Sequence, residues 1–434
     1  MGIKGLPKLI KDIAGDYATK LYPFSRFSGM TVSVDASLLI YQTVIALRST
    51  GKDMKNSRGE LTSHIYGLFY KILIFLQNGV IPIFIFDGKA PDIKHKTIAQ
   101  RRLNKEAAEK ALIEISDLEE EERIKNFKKT FKLCSKDIKE AQILLDLMGI
   151  PYIVAPGEAD VLCSWLAARH DAQGKRYVKG VCSDDSDMLA FGAPYLFKNM
   201  LRYMSKNKCV NVINLNRALI KMNLTMDQFT DLCVLLGCDY CDKIEGYGPK
   251  GAYKLISKYG SLENVIDFLE KKGNSDLETN LETNLETNSD LESDSVNGRN
   301  DKSNLNCMVE ARNYFRSALK EIDESEDFTL TDDQLKLKKY QHEELIDFMC
   351  TKHNFEISRI LTGINRLKQY QRKFNVTREN TKKVHKILQP RLQTYVIDDV
   401  PEEITFLSSD TDEEIPSKQN KPKRNLISTT IKKK

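Results

Sequence analysis

The chain has 434 residues, 41% apolar and 29% charged, enough for two to three domain-sized units with a sizeable core. Lys and Arg number 66 against 61 Asp and Glu, and a net charge of +5 on this length does not by itself single out a nucleic-acid binder. No apolar run reaches membrane-span length, MGIKGLPKLI lacks the plan of a secretion signal, and Leu6 stands where N-myristoylation needs Ser or Thr, so a soluble chain is expected.

The segment MTVSVDASLLIYQ reads as a strand, Thr31 to Val34, delivering Asp35 into a helix. VIPIFIFDGK, residues 80–89, repeats the plan with Asp87. IPYIVAPGEAD (150–160) and YVKGVCSDDSD (177–187) repeat it again, with helical patterns such as GLFYKILIFLQNG and EAQILLDLMG between them. Strands alternating with helices predict an α/β fold with a central, mainly parallel sheet, whose sites lie outside the carboxyl ends of the strands.

From Ala90 to about Cys134 the pattern becomes a long charged helical stretch with a thin apolar stripe. It reads either as a solvated helix pair or as a basic-ended element, with Lys94, Lys96, Arg101 and Arg102 at one end and Lys125, Lys128, Lys129 and Lys132 at the other. The polar segment 273–304 holds LETN three times; a four-residue period drifts around a helix and keeps no buried face, so a disordered, deletable insertion is expected. Apolar periodicity resumes in 305–368, and 369–434 reads as a flexible tail.

Acids placed after apolar strands or at helix starts are Asp35, Asp87, Glu158, Asp160, Asp185, Asp187 and Asp239. Each alone could cap a helix. Seven together could not all stay ionised at one sheet edge without cations, and hard oxygen-preferring ions such as Mg²⁺ suit an all-carboxylate set. Two such ions roughly 4 Å apart would hydrolyse a phosphodiester by lowering the pKa of a water and clamping both reacting oxygens. Glu158 with Asp160, and Asp185 with Asp187, are expected to share a side because residues two apart in an extended segment do so, which turns Asp184 away.

The nine cysteines lack paired spacing and sit mostly in apolar segments, as reduced intracellular thiols do. Cys233, Cys238 and Cys241 are close in sequence, yet no fourth ligand follows at zinc spacing, and core packing is the expectation. In LLGCDYCDKIEGYGPKGAYKLI, residues 235–256, a helix ends near Asp239 and Gly246, Gly248, Pro249 and Lys250 open the next. Such a turn is either an ordinary connection or a phosphate cradle.

MGIKGLPKLI, VDASLLIYQ, FDGKAPDIK, APGEAD, SDDSDMLAFG and the 235–256 motif, in this order, resemble the structure-specific 5′ nuclease superfamily, most closely its flap endonuclease branch. HEELIDFMCTKHNF and GINRL are similar to that branch as well. The resemblance covers about residues 1–268 and 305–368. It implies a nuclease core over 1–368, with an N-terminal region 1–105, a helical arch at about 90–134 and an internal region 135–268.

The resemblance further implies that the seven acids bind two Mg²⁺, for which Mn²⁺ can substitute. Asp185 and Asp187 would be catalytic, with Lys94 and Arg101 steering the scissile phosphate. DNA would be met by Tyr41, which stacks on the terminal base pair, by Glu158, by Lys129 and Lys132 of the arch, and by Gly246, Gly248 and Lys250 of a helix-two-turn-helix that holds K⁺. The implied activity is cleavage of 5′ flaps in DNA replication and repair, with 5′-3′ exonuclease activity, by a nuclear monomer or one in a viral replication compartment.

Two departures stand out. Asp160 occupies a position where flap endonucleases commonly carry Glu, and in having Asp there the chain resembles the exonuclease and repair-nuclease relatives. In QPRLQTYV, Gln389, Leu392 and Tyr395 resemble a sliding-clamp-binding box, but Val396 replaces its second aromatic, a loss of about 1 kcal/mol of ring burial. The basic clusters KPKR and IKKK suit nuclear import. The competing readings are a 5′ exonuclease or junction resolvase of the same superfamily, and a noncatalytic clamp-tethered adaptor for DNA junctions.

Overall fold

Strand β1 is Thr19–Pro23, β2 Thr31–Asp35, β3 Ile81–Phe86, β4 Tyr152–Val154, β5 Val181–Cys182, β6 Tyr195–Lys198 and β7 Cys209–Asn214. In the computed structural model of the chain they form one sheet in the order β1-β7-β6-β5-β2-β3-β4. Side chains and backbone are described for residues 2–48, 54–89, 91–94, 103, 106, 133–200, 209–271, 302–326 and 328–388, without the side chains at 92, 302, 303 and from 375 onward. The chain divides into two units, Met1–Ile397 and Asp398–Lys434, and every described residue belongs to the first.

The five strands from β6 across to β4 run parallel, while β7 and β1 are antiparallel additions at one edge. Parallel pairing aligns the carboxyl ends of β5, β2, β3 and β4, which delivers whatever follows each strand to one edge. All six residues of β3, IPIFIF, are buried, as expected where helices cover both faces of a sheet.

The helices are α1 (Leu6–Ala18), α2 (Ala36–Arg48), α3 (Ser63–Gln77), α4 (Ser135–Met148), α5 (Ala159–Ala168), α6 (Asp187–Ala190), α7 (Leu215–Met222), α8 (Met226–Leu236) and α9 (Pro249–Tyr259). They continue with α10 (262–271), α11 (Lys302–Asp323), α12 (His342–Ile346) and α13 (Ile357–Leu388). Ile83 and Ile85 of β3 join one core with Leu6 and Ile10 of α1, Leu162 and Leu166 of α5 and Phe229 of α8. On the other side Phe24 meets Phe75 of α3, and Phe86 meets Tyr152, both edge to face.

Local chemistry sets the helix starts. Thr225 accepts the N–H of Gln228 while the Gln228 side chain accepts the N–H of Thr225, a capping box that opens α8. Pro249 opens α9 after Gly248, where a missing N–H costs nothing.

Three expectations change in detail. The strand expected within 177–187, ahead of the acidic run, is only the two residues Val181–Cys182, and the backbone then turns through the acids to start α6. The extended-segment argument for the acid pairs does not hold: Glu158 caps α5 and Asp160 lies in its first turn, while Asp187 begins α6. Helix α13 continues beyond Lys368 to Leu388, into a stretch with little apolar periodicity.

Candidate active site

Asp35 ends β2, Asp87 follows β3, Glu158 and Asp160 follow β4, and Asp185 and Asp187 follow β5, so parallel pairing alone brings six acids to one edge. Asp239 arrives separately, in the loop after α8, with its Oδ2 3.7 Å from the Lys94 ammonium. Lys94 closes a short 3-10 turn, Asp92–Lys94, and also donates to Glu158 Oε1. Its side chain is 15% exposed, so the positive charge sits inside the cluster.

Several acids have structural partners too. Asp35 Oδ1 accepts the Leu38 N–H at 2.9 Å at the start of α2, and Asp87 accepts from Ser37 Oγ at 2.8 Å and from the Ala159 N–H at 3.1 Å. Asp187 N–H donates to Asp185 Oδ1 at 3.1 Å, which bends the loop and sets the two carboxylates relative to each other. Asp184 points away as expected: its carboxylate takes the Gln42 amide and the Asn199 N–H, and its carbonyl takes Lys198.

Burial and neighbouring carboxylates shift several of these groups in one direction. Burial, then Asp87, push the Asp35 carboxyl up to about 7, with Asp185 adding to the rise. Asp160 is raised well above the carboxylate range by burial and by Asp35, Asp185 and Asp187. Burial followed by Asp185 and Asp239 raises Asp187, and burial raises Asp185. For Lys94, burial works to lower the pKa, but Glu158 and Asp239 outweigh it and hold the ammonium above its ordinary value.

Asp160 Oδ1 is buried without a hydrogen-bond partner, a state that costs free energy unless something positive meets it. Among the described residues no three His, Cys, Asp or Glu stand in closed metal-ligand geometry. The backbone N–H groups of Leu38 and Ala159 and the Lys94 ammonium meet part of the carboxylate charge. The donor set is all oxygen, which fits a hard divalent ion.

Three partners of this site escaped the sequence. Ile3 N–H donates to Asp187 Oδ1 at 2.8 Å, and Ser186 Oγ donates to the Ile3 carbonyl at 3.3 Å. Tyr240 and Tyr314 hydroxyls both donate to Glu158 Oε2, at 2.6 and 3.1 Å. Tyr240 neighbours Asp239 and could have been suspected on that ground. Tyr314 lies on α11 with no local signal, 156 positions from Glu158.

The N-terminal segment links the acids to the glycine turn. Lys4 N–H donates to the Gly237 carbonyl at 3.4 Å, and a Cβ on Gly5 would stand 2.8 Å from Pro249 Cγ, the first residue of α9. Gly246 has φ 77°, Gly248 caps α9, and exposed Lys250 lies 3.8 Å from Asp12 of α1. Tyr41 lies on α2, in the helix that Asp35 caps. Arg101, Lys129 and Lys132, the LETN repeats, and Gln389, Leu392, Tyr395 and Val396 lie outside the described residues.

The XPG N-terminal domain matches residues 1–108 and the XPG I-region matches residues 149–239. Flap endonuclease 1 of Phytophthora infestans is 33% identical over 375 residues, 85% of this chain and 88% of that protein. Flap endonuclease-1 from Methanococcus jannaschii shares the fold at TM-score 0.55 and 26% identity, over 82% of this chain and 97% of its own. The catalytic core of Rad2 in complex with DNA substrate aligns at TM-score 0.56 and 25% identity, over 82% and 98%.

Proposed function

For a chain that belongs to the flap endonuclease family of XPG-type 5′ nucleases, we propose that the clustered carboxylates hold two divalent cations and form its catalytic centre. The reaction is hydrolysis of a DNA phosphodiester where a single-stranded 5′ flap meets duplex. Relatives at 33% and 35% identity, covered over 88% of their length, are named flap endonuclease 1, which favours that reaction over a pure 5′ exonuclease or a junction resolvase.

One observation carries the cation reading: buried Asp160, with an unpartnered oxygen, sits among Asp35, Asp185 and Asp187, which raise its pKa. Asp35, Asp87, Glu158, Asp160, Asp185, Asp187 and Asp239 would hold two Mg²⁺ or Mn²⁺, some of them through water. Bound there, the ions supply an acidified water and positive charge for the oxygens of the breaking bond.

The chain's own groups do the rest. Lys94 places an ammonium beside Glu158 and Asp239, where charge develops on the scissile phosphate, and Arg101 is assigned the same role. Tyr240 and Tyr314 fix the Glu158 carboxylate, and the Ile3 N–H fixes Asp187. Tyr41 stacks on the terminal base pair, while Lys129 and Lys132 guide the single strand.

The turn at Gly246, Gly248 and Lys250 holds duplex phosphates with K⁺, selecting shape without reading bases. Residues Gln389, Leu392, Tyr395 and Val396 dock a sliding clamp, and the basic C-terminus directs the chain to the nucleus. No described helix is long and apolar enough to cross a membrane.

Cleavage of a double-flap DNA with Mg²⁺, beside the same DNA with a blocked 5′ end, tests chemistry and threading together. The parent releases one oligonucleotide from the open flap and little from the blocked one. Asp185→Asn and Asp87→Ala bind the DNA and fail to cut it. Cutting by these variants at the parent rate overturns the site assignment.

A further inference from the structure

The turn Cys238-Asp239-Tyr240-Cys241 carries two thiols that this reaction leaves unused. Their Sγ atoms lie 3.6 Å apart, and the Cys238 N–H donates to the Cys241 carbonyl at 3.1 Å, so the four residues already form a closed turn. Both are free; Cys238 is partly exposed and Cys241 is buried. Between them stand Asp239, 3.7 Å from the Lys94 ammonium, and Tyr240, whose hydroxyl meets Glu158 at 2.6 Å.

We propose that Cys238 and Cys241 are a reversible oxidation site, and that closing their disulfide switches the nuclease off. The inference rests on the reading of Asp239 and Glu158 as cation-holding residues. A disulfide needs its sulfurs about 2.05 Å apart, so the two must approach by roughly 1.5 Å. The flanks resist that movement: Gly237 is tied to Lys4, and the Ile244 N–H donates to the Leu235 carbonyl at 3.0 Å. Asp239 and Tyr240 therefore absorb it, which withdraws one carboxylate and one of the two hydroxyls holding Glu158.

The chemistry balances with a small external disulfide such as oxidised glutathione. Cys238, the less buried of the two residues, gives up its proton and attacks one of its sulfurs, and the first glutathione leaves with that proton. Cys241 then attacks Cys238 Sγ in the mixed disulfide, closing the Sγ–Sγ bond and releasing the second glutathione with its proton. The two thiols are oxidised by two electrons and the external disulfide is reduced by two.

The full chain is equilibrated in oxidised glutathione, and flap cleavage is followed beside mass spectrometry of its peptides. The expected result is a peptide linked between Cys238 and Cys241, lighter by two hydrogens, with kcat lowered roughly tenfold or more and restored by dithiothreitol. Cys238→Ser and Cys241→Ala cut within about twofold of the parent when reduced; oxidant does not slow Cys238→Ser, whereas Cys241→Ala stops at the mixed disulfide, read by mass as one glutathionyl group on Cys238. Absence of the linked peptide, a linked peptide with unchanged kcat, or equal inhibition of both variants overturns the inference. The linkage is read by mass whether or not DNA is cut, so activity of Asp185→Asn would sink the catalytic reading separately.

Discussion

The Tyr314 hydroxyl donates to Glu158 Oε2 at 3.1 Å, tying α11, which begins beyond the LETN segment, to the acidic edge of the sheet. Tyr240 donates to the same oxygen at 2.6 Å. A hydrogen bond to a charged group is worth about 1.5–3 kcal/mol, so Tyr314→Phe should lower kcat roughly tenfold with little change in DNA affinity. The double variant with Tyr240→Phe should lose less than the product of the single losses, because both act on one carboxylate. Unchanged single-turnover rates would remove both tyrosines from the mechanism.

Gly2 is pressed against the acid loop. A Cβ there would stand 2.0 Å from Asp185 Oδ1 and 2.8 Å from Asp187 Oδ1, and its φ of 79° disfavours any L side chain. Gly2→Ala should leave thermal stability nearly unchanged, since an N-terminal residue can swing out, while cleavage falls on the order of 10²-fold through displaced carboxylates. Stopped-flow cleavage beside a melting curve separates the two effects.

Metal-free protein should lose stability as pH rises. Asp35 titrates near 7 in the folded state against an ordinary 3.8, so between those values the fold keeps a proton that the unfolded chain has released. Asp160, Asp185 and Asp187 are raised in the same direction. Stability therefore declines from about pH 4 to about pH 7. Saturating Mg²⁺ offsets the repulsion, so the rise in Tm on adding it should be larger at pH 7.5 than at pH 5. Equal increments at both pH values would contradict the cation reading.

Asp231 is 2% exposed, and its carboxylate faces the Arg312 guanidinium at 4.0 Å and that of Arg316 at 3.6 Å, both on α11. Burial raises its pKa against the pull of the Leu262 N–H and the two arginines. Arg312→Met should cost about 3 kcal/mol in urea unfolding, because it removes a cation from a buried acid. The same variant frees α11 and should weaken cleavage through Tyr314.

Deleting residues 274–300, which include the three LETN repeats, should change stability by less than about 1 kcal/mol, because loop closure depends only weakly on length. Flap cleavage should stay within about twofold of the parent. A larger loss in activity would assign the insertion a role on DNA.

Local pattern sufficed for much of this protein. Apolar runs ending in Asp35 and Asp87, and the alternation of strands with helices, determined the α/β class and placed the acids after strands, because burial period and helix capping are properties of neighbouring residues. Tertiary structure alone decided that Ile3, Tyr240 and Tyr314 hold those acids, since hydrogen bonds across 184, 82 and 156 positions leave no periodic trace. It also decided how Glu158 with Asp160 and Asp185 with Asp187 pair, through helix starts in place of extended backbone. Residue spacing predicts direction only once the backbone conformation is known, and that conformation is settled by packing against distant elements.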